Sequence, residues 1–182
     1  MDTLYIIIPV SIIILIFIRW CIVISNKLKR AAIKIDESLS GIDVALEKRY
    51  NVLTEMTKVV KAYTKHEEET IFETINLRKN MPIEEKNEVN KAMDKNFEKI
   101  NVIVENYPTL KANENFKTLQ KAIMDVEEHL QAARRLYNSN VSIYNQLIVT
   151  FPTNIIAKNK GMTKKDFFIA NETKTENVQI KL

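Results

Sequence analysis

The chain has 182 residues, enough for one domain of ordinary size, and contains only two glycines and four prolines. Because an all-β or α/β chain needs many tight turns, this composition excludes those classes and favours long helices. The net charge of +4, with acidic and basic side chains interleaved, argues against a nucleic-acid-binding face, and the single cysteine, Cys21, excludes an internal disulfide and a cysteine-based zinc site.

The first predicted element is an apolar helix at the N-terminus. Residues Leu4–Ile18 carry no charge, and the apolar character continues past Arg19 to Ile24. A helix over Leu4–Ile24 rises about 30 Å, which is enough to cross the hydrocarbon core of a bilayer. The sequence therefore predicts a single-pass transmembrane anchor over residues 1–26.

Three alternatives to a retained anchor are a cleavable signal peptide, a lipid-modified Cys21 and a buried core helix. A signal peptide carries basic residues before its apolar region, but here only Met1–Thr3 precede the apolar segment. No small-residue cleavage site follows it. Arg19 and Trp20 stand where a lipoprotein signal has small residues. About twenty apolar residues in succession argue against a buried core helix. We therefore expect the anchor to be retained.

The charges that flank the anchor predict its orientation. Only Asp2 and the terminal amine precede the anchor. Four basic residues follow it before the first acid, Asp36; they are Lys27, Lys29, Arg30 and Lys34. The positive-inside rule then places the N-terminus outside and the rest of the chain in the cytoplasm. The same basic segment offers contacts to anionic lipid headgroups, an alternative to a role in topology alone.

Two amphipathic helices are predicted next, each with apolar residues at steps of three and four. The first runs to about Lys79, with a buried stripe that extends from Leu39 to Tyr63. A helix start is indicated at Asn80–Pro82, and the second helix ends at Tyr107, before Pro108. A polar connection over Lys111–Asn115 leads to the third helix.

The third helix has the longest regular stripe and ends before Pro152. Eleven positions follow steps of three and four: Phe116, Leu119, Ile123, Val126, Leu130, Ala133, Tyr137, Val141, Tyr144, Ile148 and Phe151. The dipeptide Tyr-Asn occurs twice within it, with a spacing of seven. This spacing puts both tyrosines on the apolar stripe and both asparagines, Asn138 and Asn145, on the adjoining polar edge.

Long helices joined by short connections predict an all-α fold. We expect a transmembrane helix followed by a long antiparallel up-and-down helical bundle, with three long helices and a short fourth one. We expect residues 27–170 to form this bundle, with coiled-coil-like packing, and residues 171–182 to form a flexible C-terminal tail.

Four segments resemble the LemA family, in the same order along the chain. They are RYNVLTEMTKVVKAYTKHE (Arg49–Glu67), YPTLKANENFKTLQ (Tyr107–Gln120), EEHLQAARRLYNSNVSIYNQLIVTFPTNIIA (Glu127–Ala157) and GMTKKDFF (Gly161–Phe168). The resemblance covers about residues 19–170. It departs from the family pattern after Arg49, where Asn51–Met56 lack the proline that relatives often carry, and at Met162, which replaces an aromatic residue. The resemblance implies a bacterial, membrane-anchored helical bundle of the cell envelope, without established catalytic residues.

The chain offers no recognisable catalytic, cofactor or metal motif. His66 is not preceded by Glu-x-x, nor is His129, so neither matches the di-iron bundle pattern, and H-E-x-x-H is absent. No serine stands in a Gly-x-Ser-x-Gly turn, and two glycines are too few for a phosphate-binding loop. For the region of His66 we prefer a solvated polar helix face to a metal site.

The candidate site is a polar stripe beside the apolar face of the third helix, formed by Glu127, Gln131, Arg134, Asn138 and Asn145. On the first predicted helix, Asp43, Arg49 and Asn51 lie on or beside the buried face. Because buried polar groups need partners, we expect some of these side chains to meet in a hydrogen-bonded layer that fixes helix register. The alternative is a groove that binds a protein partner.

These features favour a non-enzymatic, membrane-anchored scaffold or interaction protein of the bacterial cell envelope. Its expected partners are the membrane, through the N-terminal helix, and other proteins or further copies of the chain, with no nucleic acid, cofactor or small-molecule substrate. The alternative is a membrane-associated accessory subunit or an enzyme with an unrecognised site. An enzyme needs a concave pocket with convergent ionisable groups, whereas a scaffold needs exposed helical faces.

Overall fold

A computed structural model describes residues 2–64, 72–78 and 81–169. Within these ranges the regular secondary structure is entirely helical, and there is no strand. The helices are α1 (Asp2–Tyr63), α2 (Ile83–Asn106), α3 (Pro108–Ala112), α4 (Glu114–Val149) and α5 (Thr153–Asn159). The predicted all-α class, an apolar N-terminal helix with a helical bundle, is confirmed. His66 and the expected flexible tail, residues 171–182, lie outside the described residues.

Helix α1 contains the predicted apolar segment and continues without a break into the bundle. It is the one described helix that is long and apolar enough to cross a membrane, and almost none of its most apolar part is buried within the protein. The large side chains from Ile7 to Ile18 point outward around the whole circumference of the helix, which is typical of a lipid-facing segment. The candidate membrane helix is therefore present as expected.

The described residues form two compact units. The first unit contains the described residues of 1–38 together with 137–166, and the second contains those of 39–136 and 167–182. Helices α1 and α4 each contribute residues to both units. The proposed division into an anchor over residues 1–26 and a bundle over 27–170 remains a prediction.

The second unit is built around an apolar core that α1, α2 and α4 supply. Its buried members include Leu53, Met56, Met93, Ile100 and Phe116. Leu53 and Met56 belong to the predicted stripe of α1, and Met93 and Ile100 to that of α2, so the helical spacing identified the core-facing sides correctly. The burial of these side chains removes apolar surface from water and stabilises the packing of the three helices.

Contacts in the second unit define the direction of the helices. Arg49 of α1 contacts Asn90 of α2, and six residues earlier Asp43 contacts Lys86, so α1 and α2 run in the same direction. Tyr63, at the end of α1, accepts a hydrogen bond of 2.9 Å from Asn113, just before α4, which runs in the opposite direction. The predicted antiparallel arrangement therefore applies to α4 against α1 and not to α2 against α1.

Residues 72–78, which we call the return segment, lie between α1 and α2 and correct the predicted end of the first helix. Helix α1 ends at Tyr63 and not near Lys79, and residues 73–78 are not helical. The side chains of Phe72 and Ile75 pack against the core of the second unit. Asn96 of α2 accepts a hydrogen bond from the Glu73 N–H and donates one to its carbonyl, both 2.9 Å long. These two hydrogen bonds satisfy the backbone N–H and carbonyl of Glu73 in a segment that is not helical. The spacing of residues in the sequence did not predict this segment.

The predicted polar connection before the third long helix is largely helical. Pro108 begins the one-turn helix α3, where a proline fits the first helical position. Asn113 follows it and caps α4, because its Oδ1 atom accepts a 3.1 Å hydrogen bond from the Phe116 N–H. Leu110 is fully buried and belongs to the apolar core of the second unit, so this connection contributes to the core.

The first unit joins α1, the C-terminal part of α4, and α5. Ile24, Leu28 and Ala157 are buried together, and Leu147 and Ile148 pack against them. The predicted stripe is confirmed at Tyr137, Val141 and Tyr144, which are all buried. It is wrong at Phe151, which is 76% exposed, because α4 ends at Val149 and the helical spacing no longer applies.

Candidate functional site

The most distinctive polar feature of the second unit is the buried side chain of Arg49. Only 2% of this side chain is exposed. Its Nη1 atom donates to Asn90 Oδ1 at 2.6 Å, and its Nη2 atom lies 2.5 Å from Asp94 Oδ1 and 2.6 Å from Glu127 Oε1. One guanidinium from α1 thus contacts α2 and α4 together. Arginine suits this task because its planar group presents five donors in a fixed geometry.

Arg134 adds a second positive charge, and we call Arg49, Asn90, Asp94, Glu127 and Arg134 the arginine cluster. The Arg134 guanidinium lies 4.8 Å from the ring centroid of Phe168, a cation–π distance. Burial lowers the pKa of Arg134, and repulsion by Arg49 lowers it further, while Asp94 and Glu127 raise it. The cluster contains two guanidinium groups and two carboxylates, so its formal charges balance.

Not every polar atom of the cluster has a hydrogen bond. The Nε atoms of Arg49 and Arg134 and the Oε1 atom of Glu127 are buried without a hydrogen-bond partner among the described residues. Glu127 Oε1 still faces Arg49 at ion-pair distance, so its charge is compensated although its alignment is poor for a hydrogen bond. Asp94 and Glu127 keep about a quarter of their side chains exposed to water. The arrangement neutralises charge and connects three helices.

A second buried ion pair lies one to two turns away on the same pair of helices. Lys86 of α2 donates to Asp43 of α1, and only 3% of the Lys86 side chain is exposed. The Asp43 carboxylate is about half exposed. Two basic side chains, Arg49 and Lys86, therefore connect α1 with α2, each through a carboxylate partner that water also reaches.

The structure places the predicted polar stripe in two groups. Glu127 and Arg134 belong to the arginine cluster of the second unit. Asn145 belongs to the first unit, where its Oδ1 accepts a 2.9 Å hydrogen bond from the Lys165 N–H and its Nδ2 donates to the Lys165 carbonyl at 2.8 Å. Asn138, in the same unit, is half-buried. Of the other residues considered for the layer, Gln131 and Asn51 are exposed.

Sequence reasoning missed four members of these contacts. Lys86, Asn90 and Asp94 are spaced by four residues and therefore lie on one face of α2, beside its apolar stripe. That spacing was a usable signal, because polar residues bordering a buried stripe need partners. Phe168 could not be found by helical spacing, because it follows α5 in a non-helical segment. Its contact with Arg134 exists only in the tertiary structure.

Possible metal ligands are sparse in the part of the chain that the structure describes. Across residues 2–64, 72–78 and 81–169, no three histidine, cysteine, aspartate or glutamate side chains are placed to hold a metal ion together. His129 is exposed on α4. The carboxylates of the arginine cluster face guanidinium groups, which compete with any cation for the same oxygens.

A family comparison covers the whole second unit and most of the chain. The profile of the LemA family matches residues 38–182. The chain belongs to the LemA family. Its matched part includes Arg49, Glu127 and Arg134, so the arginine cluster lies entirely within the family region, whereas the apolar segment of α1 precedes it.

Individual relatives extend this result. The chain is 27% identical over 162 residues to Protein LemA of Metamycoplasma hominis, a match that covers 84% of this chain and 72% of that protein. It is 27% identical over 66 residues to Magnetosome protein MamQ of Magnetospirillum gryphiswaldense, and 29% identical over 66 residues to Magnetosome protein MamQ 2 of Paramagnetospirillum magneticum. Each MamQ match covers 36% of this chain and only 24% of the relative.

Proposed function

We propose that this protein is a membrane-anchored scaffold of the bacterial cell envelope, which presents helical faces to other envelope proteins or to further copies of itself. The observation that carries the proposal is the continuity of α1. The same uninterrupted helix contains the candidate membrane span and supplies Arg49 to the core of the second unit. A helical module held at a membrane meets its partners at a raised effective concentration.

The arginine cluster has a structural role in this proposal. Its charges compensate one another within the second unit, and α1, α2 and α4 each contribute at least one member. A buried, paired layer of this kind specifies how helices align, at some cost in stability. The outer faces of α2 and α4 then carry the binding function. Val102, Met124 and Leu136 are more than half exposed on these helices, and exposed apolar side chains are typical of protein-binding surfaces.

The orientation is part of the proposal. The basic residues that follow the apolar segment favour an outside N-terminus and a cytoplasmic bundle. The non-enzymatic character is likewise proposed, and it is supported by the relatives, whose names designate no reaction. The roles of the MamQ proteins are not extended to this chain, because the matches cover about a quarter of their length.

Proximity labelling from the full-length chain in its native bacterium tests the proposal. A labelling enzyme is fused to the C-terminus, and two controls are labelled in parallel: an unrelated single-pass anchor, and the double variant Met124→Glu, Leu136→Glu. We expect a set of neighbours that the native chain labels and the unrelated anchor does not, and a reduced set for the variant. Both substitutions are at exposed positions, so the fold is retained.

Two results contradict the scaffold function. One is a labelled set identical to that of the unrelated anchor, which shows that the chain recognises no particular neighbour. The other is an unchanged set for the double variant together with an activity that maps to the arginine cluster, which favours the accessory-subunit or enzyme alternative.

A further inference from the structure

The end of α4, the turn that follows it and the first residues of α5 expose three large apolar side chains. Val149 is 53% exposed, Phe151 76% and Ile155 50%. We call residues 149–155 the corner. Phe151 follows a long series of buried positions in the third predicted stripe, yet it is the most exposed of the large apolar residues described. Apolar side chains grouped at one turn are typical of a surface that contacts something other than water.

Contacts within the first unit place the corner beside the end of the apolar segment of α1. Ile156 and Lys160 line a groove of about 500 Å³, on and just after α5, together with Phe17, Cys21 and Ile22. The Lys160 ammonium group donates to the Ser25 hydroxyl. These contacts put α5 at the level of the last two turns of the predicted span.

The course of α4 leads to the same position. Asn140 Nδ2 donates to the Lys34 carbonyl at 3.1 Å, and seven residues later Leu147 packs beside Ile24 and Leu28. Helix α4 therefore approaches the apolar segment as it runs toward its end. Val149 and Phe151 come after Leu147 and lie farther along this course.

Basic side chains accompany the exposed apolar ones. Lys158 and Lys160 are exposed at the end of α5, and Lys27 and Arg30 line a second groove of the same unit, on α1. An apolar wedge with cationic neighbours matches the membrane interface, where the wedge enters the boundary between headgroups and acyl chains and the cations face phosphates.

We propose that the corner is a second membrane contact of this protein. Val149, Phe151 and Ile155 insert into the leaflet that holds the C-terminal end of the α1 span, and Lys158 and Lys160 face the phosphates of anionic phospholipids. The inference rests on the membrane-spanning role of α1 and is independent of the scaffold role. The resulting two-point attachment adds contact area with lipid and restrains the first unit against rotation about the span.

Tryptophan fluorescence in the full-length chain tests this contact. Trp20 is the sole tryptophan, so Trp20→Phe gives a silent background. Phe151→Trp and, separately, Ile155→Trp are introduced there, and the protein is reconstituted into vesicles of phosphatidylcholine and phosphatidylglycerol with brominated acyl chains. Ile33→Trp is the matched control, because Ile33 is 55% exposed in the same unit and lies about 13 Å beyond Ile24 along α1. The wild-type Trp20 is the positive control.

We expect bromine to reduce the emission of the tryptophans introduced at positions 151 and 155 about twofold, at the insertion depth typical of interfacial anchors. The control tryptophan at position 33 should be unaffected by bromine. Iodide in the water should quench the control tryptophan and leave the one at position 151 unchanged.

Three other results overturn the proposal. If Trp20 is quenched by bromine while the two corner tryptophans respond only to iodide, the second contact is disproved and the span stands. Protection of the corner tryptophans from both quenchers indicates a second copy of the chain on the corner instead of lipid. An unquenched Trp20 overturns the span and the inference together.

Discussion

The Nη2 atom of Arg49 on α1 lies 2.6 Å from the Oε1 atom of Glu127 on α4. This ion pair joins two helices that the chain separates by the return segment, α2 and α3. The same nitrogen contacts Asp94 of α2 at 2.5 Å, so a single buried group fixes three helices. Removal of this guanidinium leaves two partly buried carboxylates with the Arg134 guanidinium as their one remaining counter-charge in the cluster.

Substitution of Arg49 is therefore expected to destabilise the second unit strongly. Arg49→Met should lower the free energy of unfolding by about 3 kcal/mol. Glu127→Gln should cost only about 1 kcal/mol, since Asp94 still pairs with the arginine. Lys58→Ala is the control on the same helix, because its partner Glu55 is exposed, and it should change stability by less than about 0.5 kcal/mol. Urea unfolding of the full-length protein in detergent measures these differences. Equal effects for Arg49 and Lys58 would show that the buried cluster contributes little.

The cation–π contact of Arg134 can be tested with its neighbour Arg135 as the matched control. Arg134→Ala removes the contact with Phe168 and the attraction to Asp94 and Glu127. It also relieves repulsion by Arg49, so we expect a net loss of about 1 kcal/mol. Arg135 is exposed, and Arg135→Ala should leave the melting temperature unchanged. The measurement is a thermal melt combined with the proximity-labelling profile. If Arg134→Ala keeps the melting temperature and loses a labelled partner, the structural role proposed for this residue is wrong.

The reciprocal hydrogen bonds of Asn145 predict a local effect. Asn145→Ala removes both contacts to the Lys165 backbone and should raise the exchange rate of the Lys165 amide, which corresponds to about 1 kcal/mol of local stability. Gln146→Ala is the control, because the side chain of Gln146 donates to Ser142 within the same helix. Hydrogen exchange read by mass spectrometry distinguishes the two variants. Faster exchange throughout α4 would mean that Asn145 supports the whole helix and not this segment alone.

Tyr144 predicts an alkaline loss of stability. Burial raises the pKa of Tyr144 above its ordinary value of 10.0. The unfolded chain therefore loses this proton at a lower pH than the folded chain, and the associated stability, complete below pH 10.0, declines as the pH rises toward the folded-state pKa.

The variant Tyr144→Phe isolates this effect, since the other tyrosines ionise equally in both proteins. Urea unfolding at about pH 7 should give nearly equal stabilities, and between about pH 9 and about pH 11 the wild type should fall relative to the variant. Parallel curves over that interval would indicate that the Tyr144 phenol is hydrated in the folded protein.

The orientation of the anchor is tested by charge reversal. Changing Lys27, Lys29 and Arg30 to glutamate removes the positive bias next to the span and should invert the topology in a fraction of the molecules. The control is the reversal of Lys91, Lys95 and Lys99, three basic residues of α2 that lie outside the stretch of sequence flanking the span. A C-terminal reporter that is active only in the cytoplasm gives the readout. Full cytoplasmic activity after reversal near the span would show that other features decide the orientation.

The sequence by itself determined the helical class, the apolar segment of α1 and the core-facing sides of the long helices. These properties depend on local spacing, because residues three and four apart share a face of a helix whatever the tertiary context. The buried tyrosines, Tyr137 and Tyr144, follow from the same rule. So does the exposure of the apolar segment, whose side chains cover the whole circumference and leave no polar face.

Only the tertiary structure decided which polar residues meet. Arg49 meets Asn90 and Asp94 because α2 runs alongside α1 in the same direction, and two hydrogen bonds between Asn96 and Glu73 hold the return segment against α2. Phe151 is exposed because α4 ends two residues before it. Both outcomes depend on contacts between residues distant in the sequence, and a periodic pattern contains no information about such contacts.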